Sequence, residues 1–117
     1  MSSLSSIQEY FDWANFEDDQ LILHIIETDY SFEKKIREFY VNFKSGKVSK
    51  KCVINDKHHY LRMKVKSHIF RYVLSYGFGW EEISIGFQAR LFRKPDIYNR
   101  GFWNHFQDKL PSMPLFR

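Results

Sequence analysis

A chain of 117 residues that is 44% hydrophobic, with 12 Phe, 7 Tyr and 3 Trp, carries enough apolar surface for one compact domain over 1–117 with its own core. A single cysteine, Cys52, excludes an intrachain disulfide and any metal site built from several thiolates. No apolar run approaches the roughly 20 residues that span a bilayer, and the opening MSSLSS lacks the basic and apolar regions of a secretory signal, so the chain reads as cytoplasmic.

Ser5 and Ser6 are placed to cap a first helix, in which Ile7, Tyr10, Phe11 and Ala14 fall on one stripe at helical spacing. LILHIIETD at 21–29 is short and rich in Ile and Leu, which predicts a largely buried strand. Over 36–44, Phe39, Val41 and Phe43 alternate with Glu38, Tyr40 and Asn42, the period of two of a strand with one buried face. Gly46 in Lys-Ser-Gly-Lys suits a hairpin turn because it takes positive φ at no steric cost, and a third strand is expected over 48–54.

Leu61, Met63 and Val65 alternate with Tyr60, Arg62 and Lys64, predicting a further half-buried strand, after which Ser67 offers a helix N-cap. Ile69, Phe70, Val73 and Leu74 form a helical stripe that ends near Gly77. Trp80, Ile83 and Phe87 suggest another helical turn, and residues 88–93 extend towards Pro95. Pro95 suits the first turn of a last helix carrying Tyr98, Phe102 and Phe106 on one face, with Pro111 and Pro114 ending it. Strands first and helices after predict an α+β domain: an antiparallel sheet of about four strands with helices packed on one face.

Several blocks in this order resemble a known family. IQEYFDWANF at 7–16, IIETD at 25–29, WEEISIGFQARLFRKPDIY at 80–98 and FWNHFQDKLP at 102–111 are similar to the C-terminal part of the CMP-N-acetylneuraminate monooxygenase (hydroxylase) family, whereas the lysine-rich stretch 34–57 carries little resemblance. The resemblance implies upstream domains: a Rieske iron–sulfur domain and a metallo-β-lactamase-like metal-binding domain. It also implies hydroxylation of CMP-N-acetylneuraminate to its N-glycolyl form in the intact enzyme, with a b-type cytochrome as electron donor. Iron–sulfur cluster and iron are expected in those upstream domains and no cofactor in this chain. A Rieske centre needs two Cys and two His, and only one Cys is present. A hydrolase-like metal site needs clustered His and Asp, whereas His58 and His59 would point to opposite faces of a strand and His24, His68 and His105 stand singly.

No catalytic residue emerges. Arg90, Arg93 and Lys94 form a basic group suited to the phosphate of CMP-sialate or an acidic partner surface, with internal pairing to Asp96 or Glu81 as the plainer reading. Trp103 and His105 are further candidates for substrate or domain contact, weighed against ordinary roles as a core indole and a structural histidine. Glu81 and Glu82 diverge on a helix and make no paired-carboxylate site, and Cys52 beside Lys50 and Lys51 has no evident base. The cluster Lys44, Lys47, Lys50, Lys51 and Lys57 reads as a solvated loop face, and no nucleic-acid motif accompanies it. These features favour a non-catalytic domain. The alternative is a stand-alone sterol-carrier-like module whose many Phe line an apolar tunnel between sheet and helices.

Overall fold

The computed structural model describes residues 4–31, 33–76, 89–95 and 100–105, with backbone alone at 72–76, 89 and 103–105. Helix α1 (Leu4–Ala14) buries the stripe that its spacing predicts, Ile7, Tyr10, Phe11 and Ala14. It starts at Leu4, so Ser5 and Ser6 sit inside its first turn rather than capping it. Asn15 stops the helix in the left-handed region at φ 52, its amide donating to the Phe11 carbonyl at 3.1 Å. The Asp18 carboxylate then accepts from the amides of Gln20 and Leu21 at 2.9 and 3.0 Å, turning the chain into the sheet.

Five strands form one sheet in the order β3-β2-β1-β4-β5: β1 (Leu21–Thr28), β2 (Lys35–Asn42), β3 (Lys47–Ser49), β4 (His59–Lys66) and β5 (Ala89–Lys94). The sheet is mixed, which corrects the expectation of about four antiparallel strands: β1 and β4 run parallel, in register from Leu21↔His59 to Thr28↔Lys66. The physical reason lies in residues 50–58, an irregular segment without helix or strand that carries the chain back from the sheet edge. His59 donates to the Gln20 carbonyl at 2.9 Å, so β4 starts beside the start of β1 and takes its direction. A central strand paired in parallel is buried on both sides, as the near-continuous apolar run LILHII requires.

The third strand is shorter than expected. It pairs with β2 only over Tyr40↔Ser49, Val41↔Val48 and Asn42↔Lys47, and beyond it Val53 and Ile54 are exposed rather than laid on the sheet. The turn before it is as predicted, with Gly46 at φ +74 and its amide donating to Asn42 O at 2.8 Å. Gln8 of α1 holds this hairpin from the side: its amide donates to Gly46 O at 2.6 Å and accepts from Val48 N at 2.7 Å.

Helices α1, α2 (Ser67–Tyr76) and α3 (Arg100–His105) lie on one face, as expected. Phe11 and Phe102 pack on Phe43 at ring distances of 5.8 and 6.0 Å, and Phe70 packs on Phe39 at 5.9 Å. With Leu23, Ile25, Val41, Leu61, Met63 and Val65 these rings form the core. Each such side chain contributes roughly 1.5–3 kcal/mol by leaving water. The described Phe rings therefore meet one another. Pro95 follows β5, and residues 96–99, between it and α3 (Arg100–His105), lie outside the described residues.

One acid sits under this face. Glu27 is 2% exposed and is held by the Arg37 guanidinium and by the Ser67 hydroxyl at 3.1 Å. Ser67 does open α2, and its hydroxyl ties the helix start to the central strand. The helical turn expected at Trp80, Ile83 and Phe87 lies outside the described residues, as do Glu81, Glu82 and Asp96.

Candidate functional site

The other face of the sheet carries a different set of side chains. Alternation along β1 turns Ile22, His24 and Ile26 away from the helices, and the register sets Tyr40 and Glu38 of β2 on one side of them. On the other side stand Tyr60, Arg62 and Lys64 of β4, with Lys94, Phe92 and Arg90 of β5 as their partners. The face thus runs from carboxylate and phenol on β2, through a buried histidine on β1, to cations and aromatic rings on β4 and β5.

His24 is its centre. The ring is 6% exposed and stacks on Tyr40 at 4.1 Å, with 14° between planes. Nε2 lies 2.9 Å from Glu38 Oε2 and Nδ1 lies 2.6 Å from the Tyr60 hydroxyl. Lys35 holds the other Glu38 oxygen at 2.7 Å. The hydrogen bonds from Lys35 and His24 keep Glu38 below the usual carboxylate range, so Glu38 is an acceptor. Burial pulls His24 below its ordinary value against the pull of Glu38, which leaves the ring neutral near pH 7.

Those two facts assign the protons. A neutral imidazole that donates Nε2–H to Glu38 has Nδ1 free to accept, and Tyr60 supplies that hydrogen. Burial pushes the Tyr60 hydroxyl up and so keeps it protonated. Arg62, beside it on β4, lies over the Phe92 ring at 4.8 Å. From Tyr60 to His24 to Glu38 each donor finds an acceptor, so this network ties together β4, β1 and β2.

Two clefts open beside it. One of about 520 Å³ is lined by Ile26, Lys35, Glu38, Arg62, Lys64 and Arg90, with Glu33 and Leu91 completing it. The second, of about 670 Å³, has Ile54, Tyr60, Phe92 and Pro95 as its apolar wall and Lys94 and Asp56 among its polar groups. A third cleft of about 510 Å³ includes Cys52 with Lys50 and Lys51, and there burial raises the thiol, so the neighbouring lysines do not activate it.

Of the residues singled out from sequence, Arg90 and Lys94 fall on β5 and line the first and second cleft respectively. Arg93 pairs in register with Leu61 and lines neither. Trp103 and His105 belong to α3 on the helix side, and their side chains lie outside what is described. The grouping of His24, Glu38 and Tyr60 escaped sequence reasoning because 14 and 36 residues separate them. The available signal was one histidine inside an otherwise apolar strand.

The chain has a single cysteine, and no group of three His, Cys, Asp or Glu among the described residues is arranged to hold a metal ion. Nor is any described helix long and apolar enough to cross a membrane.

No protein-family model and no solved structure matches the chain. Curated sequences do. The cytidine monophosphate-N-acetylneuraminic acid hydroxylase of Pongo pygmaeus is 42% identical over 112 residues, that of Cricetulus griseus 40%, and the inactive form of Homo sapiens 41%. Each alignment takes in 94% of this chain but only 19%, 20% and 22% of the relative, so the chain spans about a fifth of the length of the proteins it matches. Across nearly its whole length, then, the chain is a homologue of the CMP-N-acetylneuraminic acid hydroxylases and corresponds to a C-terminal domain of that family.

Proposed function

We propose that this chain is a non-catalytic C-terminal domain of a CMP-N-acetylneuraminate hydroxylase-like protein, serving the intact enzyme through its open sheet face. The alignment carries the reading: similarity covers 94% of the chain and a fifth of its relatives, and a single cysteine falls short of the two that a Rieske centre takes. In the intact protein the chemistry, conversion of the N-acetyl to the N-glycolyl group, belongs to the upstream iron–sulfur and metal-binding domains. This domain packs against them, shapes the substrate cleft or presents a surface to the electron donor. The side that suits those tasks is the one opposite the described helices, where cations and aromatic rings border two clefts.

The purified chain, supplied with reductant and CMP-N-acetylneuraminate, is expected to yield no N-glycolyl product and to hold iron far below one equivalent. Hydroxylation or stoichiometric iron overturns the reading. An antibody raised against the chain is expected to reveal a native polypeptide several times heavier than 14 kDa. The apolar-carrier alternative predicts lipid in native mass spectra of the purified chain. The face-to-edge packing of Phe11, Phe16 and Phe102 on Phe43 runs against it.

A further inference from the structure

On the sheet face opposite the described helices, one cleft gathers four cations among its described lining residues. Lys35, Arg62, Lys64 and Arg90 line the cleft of about 520 Å³, against Glu33 and Glu38. Glu38 is already engaged by Lys35 at 2.7 Å and by His24 at 2.9 Å, so its charge is spoken for. The Phe92 ring lies beneath the Arg62 guanidinium at 4.8 Å and holds it at the rim of the hollow. Lys64 and Arg90 are register partners across β4 and β5, and Arg62 and Phe92 form the next pair on that face. Three cationic side chains therefore border one hollow, and an aromatic ring positions one of them.

We propose that this cleft binds a small molecule through an oxyanion, a phosphate or a carboxylate, received by Arg62, Lys64 and Arg90. The inference rests on the reading of the open face as the domain's working surface and names the chemistry it takes. A guanidinium offers a planar fork that matches two oxygens of such a group, and a lysine adds a point charge. The volume is that of a small-ligand site. A broad acidic protein surface fits less well, because Glu33 and Glu38 line the same hollow and would meet it with like charge.

Isothermal titration of the 117-residue chain with inorganic pyrophosphate, and separately with citrate, tests this at low ionic strength. Saturable 1:1 binding is expected, weakening as salt is raised. The tighter of the two probes identifies the oxyanion source as phosphate or carboxylate. Lys64→Gln and Arg62→Gln should each weaken binding at least tenfold, Lys64→Arg should restore most of it, and Lys51→Gln, at the Cys52 cleft, should leave it unchanged. Thermal melting confirms that each variant is folded. The proposal is overturned if the folded wild-type chain binds neither probe, if Lys51→Gln loses as much as Lys64→Gln, or if only polyglutamate binds. None of these outcomes bears on hydroxylation or iron content, so failure of the cleft and failure of the domain assignment are told apart.

Discussion

The two faces of the sheet are made by alternate residues of the same strands, yet they solve different problems. On the helix side, Leu23, Ile25, Phe39, Val41, Met63 and Val65 are fully buried, and their spacing and shape are set by α1, α2 and α3. On the open side, His24, Tyr40, Glu38, Tyr60 and Arg62 are ordered by hydrogen bonds and ring stacking, with charged residues around them. A packed apolar face tolerates little change in volume, whereas a hydrogen-bonded face tolerates change at its rim but not the loss of a partner. The contrast assigns stability to one side and recognition to the other.

The largest effect is expected on the helix side. Phe39→Ala removes a ring that is 0% exposed and packs on Phe70 at 5.9 Å, and should cost about 3–5 kcal/mol in urea denaturation. A cost below about 1 kcal/mol would mean that this face is not the core. Glu27 tests the same side through charge. Removing it alone as Glu27→Ala takes the carboxylate away from Arg37 and should cost about 3 kcal/mol, while Glu27→Leu with Arg37→Met should cost far less than the two single changes summed. Additive losses would show that the pair is not coupled.

His24 moves the comparison to the open face and to pH. Its ordinary value is 6.5 and burial lowers it in the folded chain, so the unfolded chain takes up a proton first on acidification. The stability this contributes is fully present above pH 6.5 and is lost as pH falls from there through the lowered folded value. Glu38 and Asp29 are also held low, by the Lys35 hydrogen bond and the Ser31 hydroxyl respectively, and they add a separate loss below their ordinary values of 4.5 and 3.8. In His24→Gln the first loss should disappear and the second remain, seen as a flatter denaturation midpoint between pH 7.5 and 5. Parallel profiles for wild type and variant would show that His24 is not the titrating group.

How much of this could be read from sequence follows from the range of each interaction. The alternations of Phe39, Val41 and Phe43 and of Leu61, Met63 and Val65 identify their strands and core faces because a period of two is a local property. The Gly46 turn was legible for the same reason. Parallel pairing of β1 with β4 was not, since it depends on where residues 50–58 return the chain, and the antiparallel expectation took neighbours in sequence as neighbours in the sheet. The run LILHII did hint at a strand buried on both sides. Arg90 and Lys94 were singled out by charge and do line clefts, but Arg62 and Lys64, read only as the polar half of an alternation, complete the first one.

Lys64→Gln makes the finest cut between the two faces. Met63 and Lys64 are neighbours on β4, and the pleat sends them to opposite sides: Met63 is 0% exposed among the helices, and Lys64 is half-buried at the cleft. Among the described residues Lys64 forms no ion pair, Glu38 being engaged by Lys35 and His24. Replacing a surface ammonium by an amide of similar reach should change folding stability by no more than about 0.5 kcal/mol. Urea midpoints of Lys64→Gln and wild type should therefore nearly coincide, while Met63→Ala shifts the midpoint strongly because it opens a void in a close-packed layer. A large loss in Lys64→Gln would mean that the open face also holds the fold together, and the division of labour between the two sides would fail.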